Sequence, residues 1–288
     1  MNTSSTAPAK RRRRSIQKPG FGAHALLIVM SVFAAFPLVF MVLTSIKPFG
    51  EIYTFPPAFF PRNPTTAQYD QLLTTTDFMW LVGNSLFVCL TATGITTILA
   101  STAGYALARS RFRGRILLLR GTLLAYIFPP VLIVVPLFTI FAAADLANSY
   151  TALIAAYVML TFPYAVWMLT SYFAKIPKAI EEAATIDGCS PYRTFWTIAV
   201  PLVGPGIAAV TIFSFINTWS EFLFSLVIVG GGDKRTVSVG LQQFLSGDVA
   251  QWGLLMAGSV IALAPVIVLF LIFQRQIIGG LTSGAVKD

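Results

Sequence analysis

KIPKAIEEAATIDGCSPYRTFWTIAVPL, residues 175–202, is a polar, helix-coded segment set between two long apolar ones. Pro177 suits the first turn of a helix, where the hydrogen it lacks would be unbonded. Glu181 and Glu182 follow early, where the positive helix end favours carboxylates. Gly188 can take the left-handed conformation that stops a helix. Ser190 and Pro191 then read as an N-cap followed by a first-turn proline. A second short helix is expected to about Ala199, ending before Pro201. The segment is therefore helix, glycine turn, helix. On the first helix Ile180, Ala183, Ala184 and Asp187 share a face, and the two alanines leave room for another protein to approach. On the second, Phe195, Trp196 and Ile198 suit a helix lying at a membrane interface. An ordinary amphipathic surface pair fits the same pattern.

The surrounding chain sets the context. Of 288 residues, 56% are hydrophobic and only 11% charged, against about a quarter charged in soluble domains. That leaves too little polar surface to cover a soluble globule, so the membrane class follows. A membrane helix needs about 20 mostly apolar residues. Six segments meet this: 24–46, 82–108, 116–141, 150–173, 202–229 and 252–273. The fold expected is all-α integral membrane, with a basic segment 1–22, a six-span domain 23–275 and a tail 276–288. The first span is too long for a secretory h-region and has no small-residue cleavage site, so it is expected to remain as an anchor.

The net charge of +9 would suit nucleic acid, but its placement does not. With the N-terminus inside, sixteen of the 20 Lys and Arg fall in inner segments and four (Lys47, Arg62, Lys234, Arg235) in outer ones. That split places both termini and segment 175–202 in the cytoplasm. The basic N-terminal segment would hold the chain against anionic lipid, and no separate role is assigned to its run Arg11 to Arg14. Two long outer connections, 47–81 and 230–251, read as a docking surface, since loops of this length are often functional. His24 is the single histidine in the sequence and reads as interfacial or packed, and Cys89 and Cys189 are too few for a metal framework, so both read as packing residues and no metal is expected.

Charged groups inside a membrane helix are costly and usually functional. Glu221 is the candidate. It follows Ser214 and Asn217 and precedes Ser225 at steps of three, four and four, a polar stripe on one helix face. Trp219 falls elsewhere on the circumference and offers an aromatic ring for a sugar face. The stripe fits a substrate pathway and, equally, hydrogen bonds to a neighbouring subunit. Pro37, Pro129, Pro130, Pro136 and Pro163 are expected to bend their spans.

A resemblance adds to this. Glu182-Ala183-Ala184, Asp187-Gly188, then Ile198 and Pro201 are similar to the EAA signature of ABC importer permeases, with Val200 where that family usually has leucine. Asn84-Ser85-Leu86, the run Gly104 to Arg109 with Phe112-Arg113-Gly114, Trp219 to Phe224, and Gly280 to Lys287 resemble the carbohydrate-type branch, the second permease of maltose-type importers. The resemblance implies the type I ABC importer permease fold. It implies that Glu181, Glu182, Ala183, Ala184, Asp187, Gly188, Ile198 and Pro201 couple to an ATPase, and that Thr282, Ser283 and Gly284 touch it. It also implies partners: a second homologous permease, two ATP-binding subunits carrying ATP and Mg, and an extracytoplasmic solute-binding protein. The cargo would be a sugar or polyol, or alternatively glycerol phosphate or a glycerophosphodiester. The sequence contains no Gly-x-x-x-x-Gly-Lys-Ser/Thr, so ATP hydrolysis is expected on partners, with no cofactor on this chain. A secondary carrier would show several intramembrane ion-binding acids or repeated halves. A membrane enzyme would need a nucleophile–base pair or metal cluster. Neither pattern occurs.

Overall fold

The computed structural model describes residues 21–246 and 249–285, with side chains as far as 276. The segment 1–20, including Arg11 to Arg14, and the side chains of Thr282, Ser283 and Gly284 lie outside the described residues. In chain order the helices are α1 (Phe21–Ser45), α2 (Phe49–Ile52), α3 (Ala67–Thr75), α4 (Phe78–Arg109), α5 (Arg115–Ile127), α6 (Pro130–Ala143), α7 (Tyr150–Phe173), α8 (Lys178–Ile186), α9 (Pro191–Thr194), α10 (Val200–Leu202), α11 (Gly204–Ser220), α12 (Leu223–Val229), α13 (Val237–Gln243) and α14 (Trp252–Ala285). A π-helical turn, Phe195–Ala199, joins α9 to α10. Among the described residues there is no strand.

Four helices are long and apolar enough to cross a bilayer, and six spans result if each of two bent pairs counts as one. Their burial runs opposite to their hydropathy. Gly22–Ser45 and Trp252–Gln276 have mean hydropathies of 2.8 and 2.7, with 0% and 17% of the window buried. Phe78–Arg109 and Tyr150–Phe173 have 1.7 and 1.8, with 39% and 44% buried. In water the most apolar helix would sit inside. Here it sits outside, as expected where the solvent is hydrocarbon and the interior can hold hydrogen-bonding side chains.

The interior is the α4–α7 pair. At one end the Tyr150 hydroxyl donates to Asn84 Oδ1 at 2.8 Å. Midway the Thr96 and Thr161 hydroxyls are 2.9 Å apart. At the other end Gly104 lets the backbones close; a Cβ there would meet Thr170 N at 3.0 Å and Leu169 Cβ at 3.1 Å. Ala92, Ala100, Ala152, Ala156 and Ala165 are fully buried in the two hydrophobic clusters along the pair. Small residues are what permit such an approach. α11 crosses this pair, and α1 packs along α14, touches Tyr69 of α3 through Ser45 and Phe59 through Phe36 and Phe40, and turns most of its length outward.

Three expectations need correction. The span at 116–141 is broken: α5 and α6 meet at 97°. Phe128, preceding a proline, is extended (ψ 130°), and Pro129 is extended too (ψ 121°). A residue before proline is pushed out of the helical region, and two in succession stop the helix rather than kink it. Pro163 and Pro37, each alone, leave α7 and α1 continuous. The second helix of segment 175–202 does not end before Pro201 but runs on to Leu202. The π turn ahead of it, with Val200 N bonded to Phe195 O, widens the helix where the proline offers no N–H. The chain then turns by 77° into α11. Finally, the span at 202–229 breaks at Glu221, which is extended (ψ 130°), before α12 begins.

The two long connections are built. Residues 47–81 carry α2 and α3, with Leu72 and Gln68 buried against α14. Residues 230–251 carry α13, packed on α4 and α14. The Tyr53 hydroxyl donates to the Ala250 carbonyl and joins the two.

Candidate coupling site and transport path

α8 is nine residues long and starts directly after Pro177, which takes the cap position. Its far end is closed by a Schellman motif. Gly188 has φ +82°, its N–H bonds Thr185 O at 3.1 Å, and Cys189 N–H bonds Ala184 O at 2.9 Å. Only glycine takes that φ without strain. Ser190 Oγ accepts from Arg193 N at 3.3 Å and Pro191 opens α9. The turn geometry is the one coded by Gly188, Ser190 and Pro191.

The two adjacent carboxylates point to different places. Glu181 turns into the protein. Its Oε1 accepts from Arg109 Nε at 2.8 Å and lies 2.7 Å from Arg109 Nη2; its Oε2 accepts from the Tyr105 hydroxyl at 3.1 Å. Glu182 is exposed. The alanines divide likewise. Ala183 is exposed, while Ala184 is buried against the chain itself. The face expected to meet another protein therefore loses Ala184 and gains Ile186, which is 86% exposed. Helical spacing groups residues on a face but cannot say which half of that face turns inward. Tyr192, on α9, is 75% exposed beside it. Asp187 caps α8 in the open, Ile198 sits half-buried in the π turn and Pro201 is exposed. So Glu182, Ala183, Ile186 and Asp187 form a small, mixed apolar and acidic outward surface held on a fixed turn.

The polar stripe does not survive as one stripe. A cavity of about 630 Å³ opens between α5–α6, α7 and α11, with Asn217, Thr218, Glu221, Thr161, Tyr126 and Met159 in its wall. Asn217 and Glu221 reach it. Ser214 is buried, Ser225 is buried and accepts from the Thr236 hydroxyl at 2.8 Å, and Trp219 Nε1 donates to Ala262 O at 3.1 Å. None of these three lines the cavity. For Ser225 the break at Glu221 is the reason, since α12 does not continue the wheel of α11; Ser214 and Trp219, on α11 itself, are turned into the protein core. The Glu221 carboxylate makes the break possible, accepting from Phe224 N at 3.0 Å and Ser225 N at 3.2 Å at the start of α12. An acid at a helix N-terminus satisfies otherwise orphaned N–H groups.

Thr161, Thr218 and Tyr126 escaped the sequence reading because spaced hydroxyls in apolar helices look like packing. Arg109 and Tyr105 lie in the quoted run Gly104 to Arg109, but nothing local pairs them with a residue 72 positions away.

A family profile described as "Binding-protein-dependent transport system inner membrane component" matches residues 97–282. The chain belongs to that family. The matched region of this inner membrane component takes in α8, the π turn, α11 and the cavity wall. It is therefore a multi-pass membrane protein, and a transport subunit by family. Similar proteins include the sulfoquinovosyl glycerol transport system permease protein SmoH of Agrobacterium fabrum, 36% identical over the whole of both chains. The trehalose/maltose transport system permease protein MalG of Thermococcus litoralis is 35% identical over 90% of this chain and 94% of its own. The diacetylchitobiose uptake system permease protein DasC of Streptomyces coelicolor is 33% identical, again over 90% and 94%. The fold matches a chain in the crystal structure of a bacterial ABC transporter involved in alginate import, with TM-score 0.73, 19% identity, and 88% and 94% coverage. This is the ABC importer permease fold.

Proposed function

We propose that this inner membrane component imports a sugar or related polyol, driven by ATP-binding subunits that grip α8. The observation carrying it is the outward surface of Glu182, Ala183, Ile186 and Asp187 on a turn fixed by Gly188. Ile186 is apolar, exposed and outside every span, and a partner surface that covers it would gain about 1.5–3 kcal/mol. The sixteen-to-four charge split supports a cytoplasmic α8. The sugar cargoes named for SmoH, MalG and DasC support the substrate class.

In this reading ATP and Mg stay on two partner subunits, a second permease covers apolar surface left outward here, and a solute-binding protein docks on the connections carrying α3 and α13. Thr282, Ser283 and Gly284 remain assigned to the ATPase pair through the family resemblance. The chain itself contributes positions. α8 receives the partner's motion. The break at Phe128–Pro129 and the break at Glu221 flank the cavity, so small rotations of α11 change its shape. Asn217 and Thr218 offer an amide and a hydroxyl to sugar hydroxyls, with Tyr126 as an aromatic wall. Glu221, engaged with two backbone N–H groups, holds the break and shapes the path.

The test is purification from membranes with the co-expressed second permease and ATP-binding subunits, then uptake of labelled maltose, trehalose or diacetylchitobiose into vesicles supplied with the solute-binding protein. Glu182→Lys and Gly188→Leu are expected to lower uptake by about tenfold or more, as for a loss of 1.4 kcal/mol or more, at unchanged membrane content. Normal uptake by both would defeat the coupling assignment. Asn217→Ala, which leaves the Glu221 cap intact, is expected to change substrate dependence; identical dependence would remove the cavity from the path.

A further inference from the structure

Arg109 occupies a junction of four elements. It closes α4, and its guanidinium reaches two others at once. Nε and Nη2 hold Glu181 on α8, and Nη2 also donates to Ile176 O at 3.0 Å in the turn after α7. Tyr105, one turn back on α4, holds the other Glu181 oxygen. The Tyr105 ring meets Phe173 at the end of α7 (5.4 Å) and Phe195 in the π turn (5.0 Å). Both side chains of this ion pair are only 15% exposed. Partial burial and a guanidinium fork give such a pair directional stiffness that a surface pair lacks.

What lies behind the junction matters as much. α4 and α7 are tied at Gly104, at Thr96–Thr161 and at Asn84–Tyr150. The far tie continues outward: Asn84 Nδ2 donates to Asp233 O at 2.7 Å and Arg235 O at 3.1 Å, and Trp80 Nε1 to Asp233 O at 3.0 Å. The 32 residues of α4 span roughly 48 Å at 1.5 Å per residue. One stiff two-helix strut thus runs from α8 to the connection at 233–235.

We infer that Arg109 and Glu181 form a positioning latch that makes the α4–α7 strut carry motion between α8 and the connection at Asp233–Arg235. This rests on the proposed grip of α8 by ATP-binding subunits. Without the latch α8 would still dock, but it would pivot on the turn at 174–177 instead of moving the strut.

The test uses the whole importer complex in lipid vesicles: wild type, Arg109→Gln, Glu181→Gln, the double variant and Arg109→Lys. The first readout is retention of the ATP-binding subunits after detergent extraction. The second is the factor by which the co-expressed solute-binding protein stimulates Mg-ATP hydrolysis. The single glutamine variants are expected to retain the subunits and to lose about tenfold in stimulation, a coupling of about 1.4 kcal/mol. The double variant should lose no more than the worse single, because the two side chains act as a unit. Arg109→Lys keeps the charge but loses the fork that holds Glu181 and Ile176 O together, so its loss should fall between wild type and Arg109→Gln. Wild-type stimulation in the single variants overturns the latch, as do losses that multiply in the double or an Arg109→Lys loss greater than that of Arg109→Gln. A wild-type complex that holds no ATP-binding subunits fails differently: it defeats the proposed function instead.

Discussion

α1 and α7 are nearly equal in length, 25 and 24 residues, and each has a proline inside. Their fates are opposite. α1 is the more apolar and its span window has no buried residues, while α7 is less apolar and 44% of its window is buried. α1 carries Leu27, Phe33 and Val39 outward. α7 carries Ala152, Ala156, Thr161 and Ala165 inward against α4. Apolarity here marks the helix that can live in lipid, whereas burial goes to the helix with small and hydroxyl side chains. Packing and hydrogen bonds, which lipid cannot supply, hold the inner pair together.

That contrast breaks hardest at Gly104. Gly104→Leu would drive a side chain into the Thr170 backbone, at a cost of about 1–3 kcal/mol or more; the expected result is a sharp fall in monodisperse protein after extraction. Normal yield would mean that the inner pair is looser than described. Asn84→Ala removes three hydrogen bonds at the far tie and should lower stability by about 2 kcal/mol, read as the thermal midpoint in detergent and as faster proteolysis at 233–235. Thr161→Val removes the middle tie and should cost only about 0.6 kcal/mol in the same thermal assay. Phe33→Leu in α1, at a site 77% exposed, should move that midpoint by less than about 0.5 kcal/mol. A Phe33 effect exceeding that of Thr161 would reverse the contrast and point to protein, not lipid, around α1.

How far the sequence carried this differs from place to place. Gly188, Ser190 and Pro191 act through their own backbone geometry, so the turn after α8 was legible, and the limits of α7 match 150–173. Apolar length marked the four helices long enough to cross a bilayer, because hydrocarbon thickness sets that length. It could not show that Pro129 and Pro130 break a span by 97°, because a proline's effect depends on whether neighbours restore the lost bond. Pro163 and Pro265 leave their helices continuous. The stripe through Glu221 failed for a related reason: periodicity assumes an unbroken helix, and the carboxylate itself caps the next one. The inward turn of Glu181 was invisible, since its partners Arg109 and Tyr105 are 72 and 76 residues away.

The shortness of α8 has a practical consequence. Nine residues are too few to stay helical alone in water, where about 12–15 is marginal. Its shape is lent by the Gly188 turn and by Glu181's hold on the body of the protein. A synthetic peptide of residues 175–191 would therefore be a random coil and a poor competitor for whatever binds there, whereas the same peptide stapled into a helix would compete at lower dose.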